Sequence, residues 1–202
     1  LIFTATDDTG REFEAVAQQL LGPGEMLLGS LTDFVPLDTV ELGPDELLTG
    51  RVEIQVYPAD GYYGGDNPQI LGGITLNGST ANSSGLPLET EGWKGTVFPH
   101  VAQSVDFRIF TGLSIWNISD AVANISVTAW DQNGEITAEK DFSIAPGLRR
   151  IGLLNEDYYF GSGFSQVGGH LDIRSDQKVV SFCLYGDFEL AYLSAIGGQR
   201  VK

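Results

Sequence analysis

Ile125–Glu135 reads ISVTAWDQNGE, and Leu1–Arg11 reads LIFTATDDTGR. Both run apolar strand, Thr-Ala, one residue, Asp, two residues, Gly. Thr4, Ala5, Asp7 and Gly10 therefore match Thr128, Ala129, Asp131 and Gly134. Asp-x-x-Gly between two apolar runs is a hairpin signal, because glycine takes the positive φ that the turn needs. Working outward, the matches keep their order. Gly22-Pro23-Gly24 faces Ala145-Pro146-Gly147, and Leu27-Leu28-Gly29 faces Arg150-Ile151-Gly152. Gly50-Arg51-Val52-Glu53-Ile54 parallels Gly169-His170-Leu171-Asp172-Ile173. Leu76-Asn77-Gly78 parallels Leu184-Tyr185-Gly186, with stops at Leu86-Pro87 and Ser194-Ala195. An ordered set of this kind points to internal duplication.

The repeat also decides an ambiguous segment. Glu12–Leu21 (EFEAVAQQLL) has helical composition. Its counterpart Glu135–Ile144 (EITAEKDFSI) has strand character, so both are expected as strands. Front-copy strands are expected near 1–6, 11–20, 25–30, 50–57, 69–77 and 80–86. Back-copy strands are expected near 104–117, 122–131, 135–144, 148–154, 168–174, 178–186 and 189–195. Ser30–Leu48 and Asn155–Gly163 are expected to carry a helical turn each.

Short strands punctuated by Gly and Pro turns predict an all-β fold: two tandem antiparallel β-sandwich (Ig-like) modules. The expected boundaries are 1–87 for the first module, 88–96 for a connector (LETEGWKGT over Leu88–Thr96), and 97–197 for the second. The first module lacks its opening strands, since Leu1 aligns with Ile125 and nothing matches Phe98–Asn124. Such a sandwich exposes a sheet edge. The chain is then a fragment of a longer array, or a neighbour supplies the strand, or the module is complete without it. In the second case Leu1, Ile2, Phe3, Thr4, Ala5 and Thr6 form the strand-exchange edge.

Composition narrows the function classes. Net charge is −16 over 202 residues, with only 11 Lys and Arg. Nucleic-acid phosphates and anionic lipid heads both demand clustered cations, so neither is an expected partner. No apolar run approaches the roughly 20 residues that span a bilayer as a helix, so no membrane insertion is expected. The single cysteine, Cys183, has no internal partner and is expected as a small buried hydrophobe. The chain begins with Leu and shows no signal peptide, as a processed chain or a fragment would.

Phe98-Pro99-His100-Val101-Ala102 opens a longer pattern. Phe110-Thr111-Gly112-Leu113-Ser114-Ile115-Trp116-Asn117 follows, then Ile125–Gly134, Ala145-Pro146-Gly147, Gly169–Ile173 and Val179–Gly186. This order resembles a β-sandwich repeat found, often in tandem, in large secreted and cell-surface proteins of bacteria. The resemblance covers nearly all of 97–196 and, minus the opening strands, 1–87. It implies an extracellular or cell-surface setting, a scaffolding or adhesion role, and no catalytic residues. The front copy departs from the pattern through an acidic insertion (Val35–Thr49) and a Gly/Tyr-rich one (Pro58–Asn67).

Chemistry-bearing motifs are sparse. His100 and His170 are the only histidines, and neither has the Cys or His spacing of a zinc site. There is no Gly-x-Ser-x-Gly elbow. The expectation is a non-catalytic structural or adhesion module with no cofactor. Its partners would be other copies or neighbouring modules, through strand complementation or filament assembly. The alternative is a carbohydrate-binding module, calcium-assisted, appended to a secreted enzyme. Asp60, Tyr62, Tyr63 and Asp66 in YPADGYYGGDN, with Trp93, would then stack on a glycan and accept its hydroxyls or ligate calcium. Four sequons, at Asn77, Asn82, Asn117 and Asn124, would allow N-glycans in a secreted chain.

Overall fold

The computed structural model describes residues 1–22, 24–41, 50–57, 73–77, 83–89, 91–189 and 191–201. The protein is all-β; among the described residues the only α-helix is the four-residue Leu31–Phe34. It divides into two compact units, Leu1–Ile70 and Leu71–Lys202.

The first unit is built on three strands, β1 (Ile2–Asp7), β2 (Glu12–Glu14) and β3 (Gly50–Gln55), in the order β2-β1-β3. Alternation along β1 turns Phe3 and Ala5 inward, where they meet Phe13 and the fully buried Val35. Val35 follows helix α1 (Leu31–Phe34), and Phe34 stacks on Phe3 at 4.7 Å. A 3₁₀ turn, Leu37–Thr39, comes next, so the helical turn expected within Ser30–Leu48 is present.

Three expectations for this unit are corrected. The strand expected over 11–20 ends at Glu14: Val16 N–H donates to Phe34 O and Gln19 N–H to Leu1 O, which takes the chain off the ladder. Residues 25–30 join no strand; Glu25 N–H closes a turn onto Gly22 O. The third concerns the edge Leu1–Thr6. β1 is the central strand, paired with β2 on one side and β3 on the other, and Leu1 exchanges hydrogen bonds with Gln19. Of Leu1, Ile2, Phe3, Thr4, Ala5 and Thr6, the last three are thus paired on both flanks, while Ile2 and Phe3 pair with β3 on one.

The second unit comprises β4 (Gly73–Asn77), β5 (Ser83–Pro87), β6 (Trp93–Phe98), β7 (Ala102–Gln103), β8 (Ile109–Asn117), β9 (Ala123–Trp130), β10 (Ile136–Ile144), β11 (Arg149–Leu153), β12 (Gln166–Val167), β13 (His170–Asp187), β14 (Leu193–Gly197) and β15 (Gln199–Arg200). Its spine is β13, 18 residues long. The first half, His170–Ser175, pairs with β9 on one side and β6 on the other. The second half, Val179–Asp187, pairs with β8 and β14. The register shifts between Arg174 and Val179, where the polar run Ser175-Asp176-Gln177-Lys178 takes the strand from one set of partners to the next within one eight-stranded sheet. Strands β10-β9-β13-β6-β15 thus form one layer, and β11, β8 and β14 gather around the far half of β13. Phe98, Leu113, Ile115, Val127, Leu171 and Ile173 fill the core with no exposed surface. Burial of each large aliphatic or aromatic chain contributes about 1.5–3 kcal/mol before entropy is counted.

Several differences from the expected map have physical causes. The connector expected over 88–96 holds the first four residues of β6: alternation in WKGTVF sends Thr96 and Phe98 inward against β13. The hairpin β4–β5, expected to close the front module, belongs to the second unit. There β5 lies along β14, and Ala195 N–H donates to Ser84 Oγ at 2.6 Å. Residues 104–108 are a turn instead of a strand start, closed by reciprocal hydrogen bonds between Ser104 and Ile109. The two strands expected at 168–174 and 178–186 are one. Asn155–Gly163 forms hydrogen-bonded turns and no helix.

The two Asp-x-x-Gly turns are built alike. Asp7 Oδ1 accepts from the amides of Thr9 and Arg11, both at 2.9 Å. Asp131 Oδ1 accepts from those of Asn133 at 2.8 Å and Glu135 at 2.9 Å. Gly10 and Gly134 then take φ of 88° and 82°, the left-handed conformation that only glycine adopts freely.

Candidate functional site

A shallow, open cleft of about 590 Å³ crosses β10, β9 and β13. It lies where β13 shifts register, so its floor is a cross-strand row of polar side chains. Ser126 stands opposite both Asp141 and Arg174, and Asn124 opposite Ser143. The polar groups are tied to one another. Asp176 accepts from Asn124 N at 2.8 Å and from Asn124 Nδ2 at 2.7 Å, which holds its carboxyl below the ordinary aspartate value. Ser143 Oγ bonds Asn124 Oδ1 at 2.9 Å. Arg174 pairs with Asp172 at 2.9 Å. The lining contains no His, Cys, Lys or Tyr. The cleft therefore offers hydroxyls, one carboxamide, one guanidinium and the carboxylates of Asp141 and Asp176.

Asp60, Tyr62, Tyr63 and Asp66 lie outside the described residues. Trp93 is half-buried in β6, with the Arg200 guanidinium 4.3 Å from its ring centre, so that face is already covered by a cation. No three His, Cys, Asp or Glu side chains among the described residues come close enough to hold a metal. His170 stacks on Trp130 at 5.9 Å, while His100 packs against Tyr185, whose hydroxyl donates to the His100 carbonyl. Of the sequons, Asn77 and Asn82 yield no described side chain. Asn117 is fully buried: its Nδ2 donates to Ala121 O and Ile144 O, which blocks glycosylation of the folded chain. Asn124 is exposed but engaged by Asp176.

Sequence reading missed one surface feature. The turn Ser104–Ile109 presents Val105 and Phe107, 63% and 73% exposed, beside Phe188 at 43%. Phe188 N–H donates to Arg108 O, and Arg108 salt-bridges Glu189 at 3.1 Å, which joins the two loops. Arg108 takes φ of 55°, an uncommon conformation for a side-chain-bearing residue. The available signal was the alternation Val105/Phe107, which reads equally well as the inward face of a strand.

No protein-family model matches the chain. No curated protein sequence matches it. Among solved structures, the crystal structure of Thermotoga maritima 1070 matches at a TM-score of 0.43 and 17% identity, over 55% of this chain and 96% of that one.

Proposed function

We propose that this chain is a non-catalytic structural or adhesion module of an extracellular protein, made of two copies of one sandwich unit. The observation that carries the duplication is a shared strand register. In the first unit Thr4 faces Glu53, Ala5 faces Val52 and Thr6 faces Arg51. In the second, Thr128 faces Asp172, Ala129 faces Leu171 and Trp130 faces His170. These are the pairs that the sequence alignment brings together. One-residue slips would flip every side chain to the opposite face, so agreement at three successive pairs is informative. Gly50 and Gly169 extend it: a Cβ on either would collide with the carbonyl of Thr6 or Trp130, respectively. The hairpin partners agree as well, with Thr6 facing Glu12 and Trp130 facing Ile136, before a bulge shifts β10 by one.

In this reading the aligned letters serve packing, and function resides in what the loops display. The apolar tip of Val105 and Phe107 is one such display. The acidic surface keeps the modules soluble and apart.

A crystal structure of the chain tests the duplication. The expected result is that β1, β2 and β3 superimpose on β9, β10 and the first half of β13 with those pairs aligned; a different register in either unit would remove it. Surface labelling of intact cells of the source organism tests location. Antibody against the chain should bind unpermeabilised cells, and staining confined to permeabilised cells would overturn an extracellular role.

A further inference from the structure

The two Asp-x-x-Gly turns share one clasp and differ in the residue before the glycine. The front turn reads Asp7-Asp8-Thr9-Gly10, the back turn Asp131-Gln132-Asn133-Gly134. Asn-Gly is a reactive pair. The glycine amide nitrogen is tethered close to the asparagine side-chain carbonyl, and their union closes a five-membered imide. Glycine has no Cβ to obstruct the approach. Three observations leave this pair open to reaction in the folded chain. Asn133 and Gly134 are both exposed, at the tip of the hairpin between β9 and β10. Gly134 has φ of 82°, and even an added Cβ would meet nothing within 4 Å. Its amide is lightly held: the bond to Asp131 O spans 3.3 Å, longer than the usual N–H···O range. Asn117 and Asn124 differ. Asn117 is fully buried and precedes Ile118, while Asn124 lies in β9 and precedes Ile125, whose branched Cβ crowds the same approach. In the front turn Thr9 carries no carboxamide to attack.

We propose that Asn133 is a self-modification site: in the folded chain the Gly134 amide nitrogen displaces ammonia from its side chain, and the acid that results unfastens the β9–β10 turn. The Gly134 N–H gives its proton to water as the bond from its nitrogen to Asn133 Cγ forms. The Cγ–Nδ2 bond breaks, and ammonia leaves with a proton returned by water. Water then opens the imide. Opening at Cγ yields aspartate. Opening at the main-chain carbonyl yields isoaspartate, with the backbone rerouted through Cβ. Both products break the clasp. The Asn133 Nδ2 that donates to Asp131 Oδ2 at 3.1 Å is lost, and a second carboxylate takes its place beside the first. Isoaspartate also lengthens the turn, which displaces the Asn133 and Glu135 amides held by Asp131 Oδ1 at 2.8 Å and 2.9 Å. The modification adds negative charge to the back hairpin and leaves the front one as it was.

The test ages the full native chain for days in mildly alkaline buffer at physiological temperature, beside a chain kept in denaturant. Peptide mass spectrometry, with fragmentation that distinguishes aspartate from isoaspartate, follows each asparagine. The expected result is conversion of Asn133 in the native chain to a mixture of both acids, while Asn117 and Asn124 stay intact. No native conversion at Asn133 overturns the proposal, and conversion in denaturant alone does so as well, because the folded turn then shields the pair. Equal conversion at Asn117 or Asn124 is just as damaging, since it signals general hydrolysis, and aspartate without isoaspartate rules out the imide. Amide exchange then reads the consequence. Aged chain should lose protection at the β9–β10 pairs nearest the turn, Trp130 with Ile136 and Ala129 with Ala138. Asn133→Thr, which copies the front turn, should age without that loss. Equal loss in the variant, or full protection in converted chain, would refute the unfastening.

Discussion

Asn117 concentrates the polar bookkeeping of the second core in one side chain. It is fully buried, donates to two carbonyls, and accepts from the amide and hydroxyl of Ser119. Asn117→Ala would strand the Ala121 and Ile144 carbonyls, at a cost of about 1–3 kcal/mol. Denaturant unfolding should show a lower midpoint with an unchanged slope; an unaltered midpoint would mean that water replaces the amide without loss. Cys183 behaves differently because it is buried without a charged partner. Desolvation pushes its thiol well above the ordinary range, so little thiolate forms at neutral pH. A thiol reagent such as DTNB should leave the native chain unlabelled at pH 8 and label one thiol per chain in denaturant. Rapid native labelling would show that the core opens readily around β13.

The hairpin turns belong to the scale of elements. Asp7 is held below the ordinary aspartate value chiefly by the Thr9 hydroxyl, and Asp131 chiefly by the Glu135 amide. A depressed carboxyl stabilises the fold above its unfolded value and loses that contribution as pH falls through its folded value. Both turns should therefore loosen only in acid, below the ordinary aspartate range. Carboxyl ¹³C titrations should place both midpoints under the random-coil value; a normal midpoint at either would disprove that turn's geometry. Gly134→Ala, which forces a Cβ into the left-handed region, should cost about 1–2 kcal/mol in thermal unfolding, and an unchanged melting temperature would refute the turn.

These hairpins were legible because Asp, Gly and the flanking apolar runs each carry a local signal. β6 was not, since Lys94 and Gly95 dilute its alternation and its inward face is set by a strand more than 70 residues away. β13 read as two strands because its polar bulge imitates a turn. The short β2 was overread because the strand character of its repeat counterpart Glu135–Ile144 was carried onto EFEAVAQQLL, yet the pairing that ends it comes from Leu1 and Phe34. Of the candidate site, only Trp93 falls among the described residues, and Arg200, remote in sequence, covers it.

Across the whole molecule the excess of acid is the dominant electrostatic fact. Net charge is −16, of which −11 falls in residues 1–87. Self-repulsion at this level opposes compaction, and added salt screens it, with a Debye length near 10 Å at about 0.1 M. The melting temperature should rise on going from about 10 mM to about 0.5 M sodium chloride. A fall would show that attractive pairs such as Lys178–Glu91 outweigh the repulsion.

β13 has a mechanical consequence. It is gripped on both flanks over two stretches, by β9 and β6 at Leu171–Arg174 and by β8 and β14 at Phe182–Gly186. Tension along its axis would have to shear several ladders at once, whereas tension across it would peel one rung at a time. The second unit is therefore built to bear load in one direction, and to yield easily in the other.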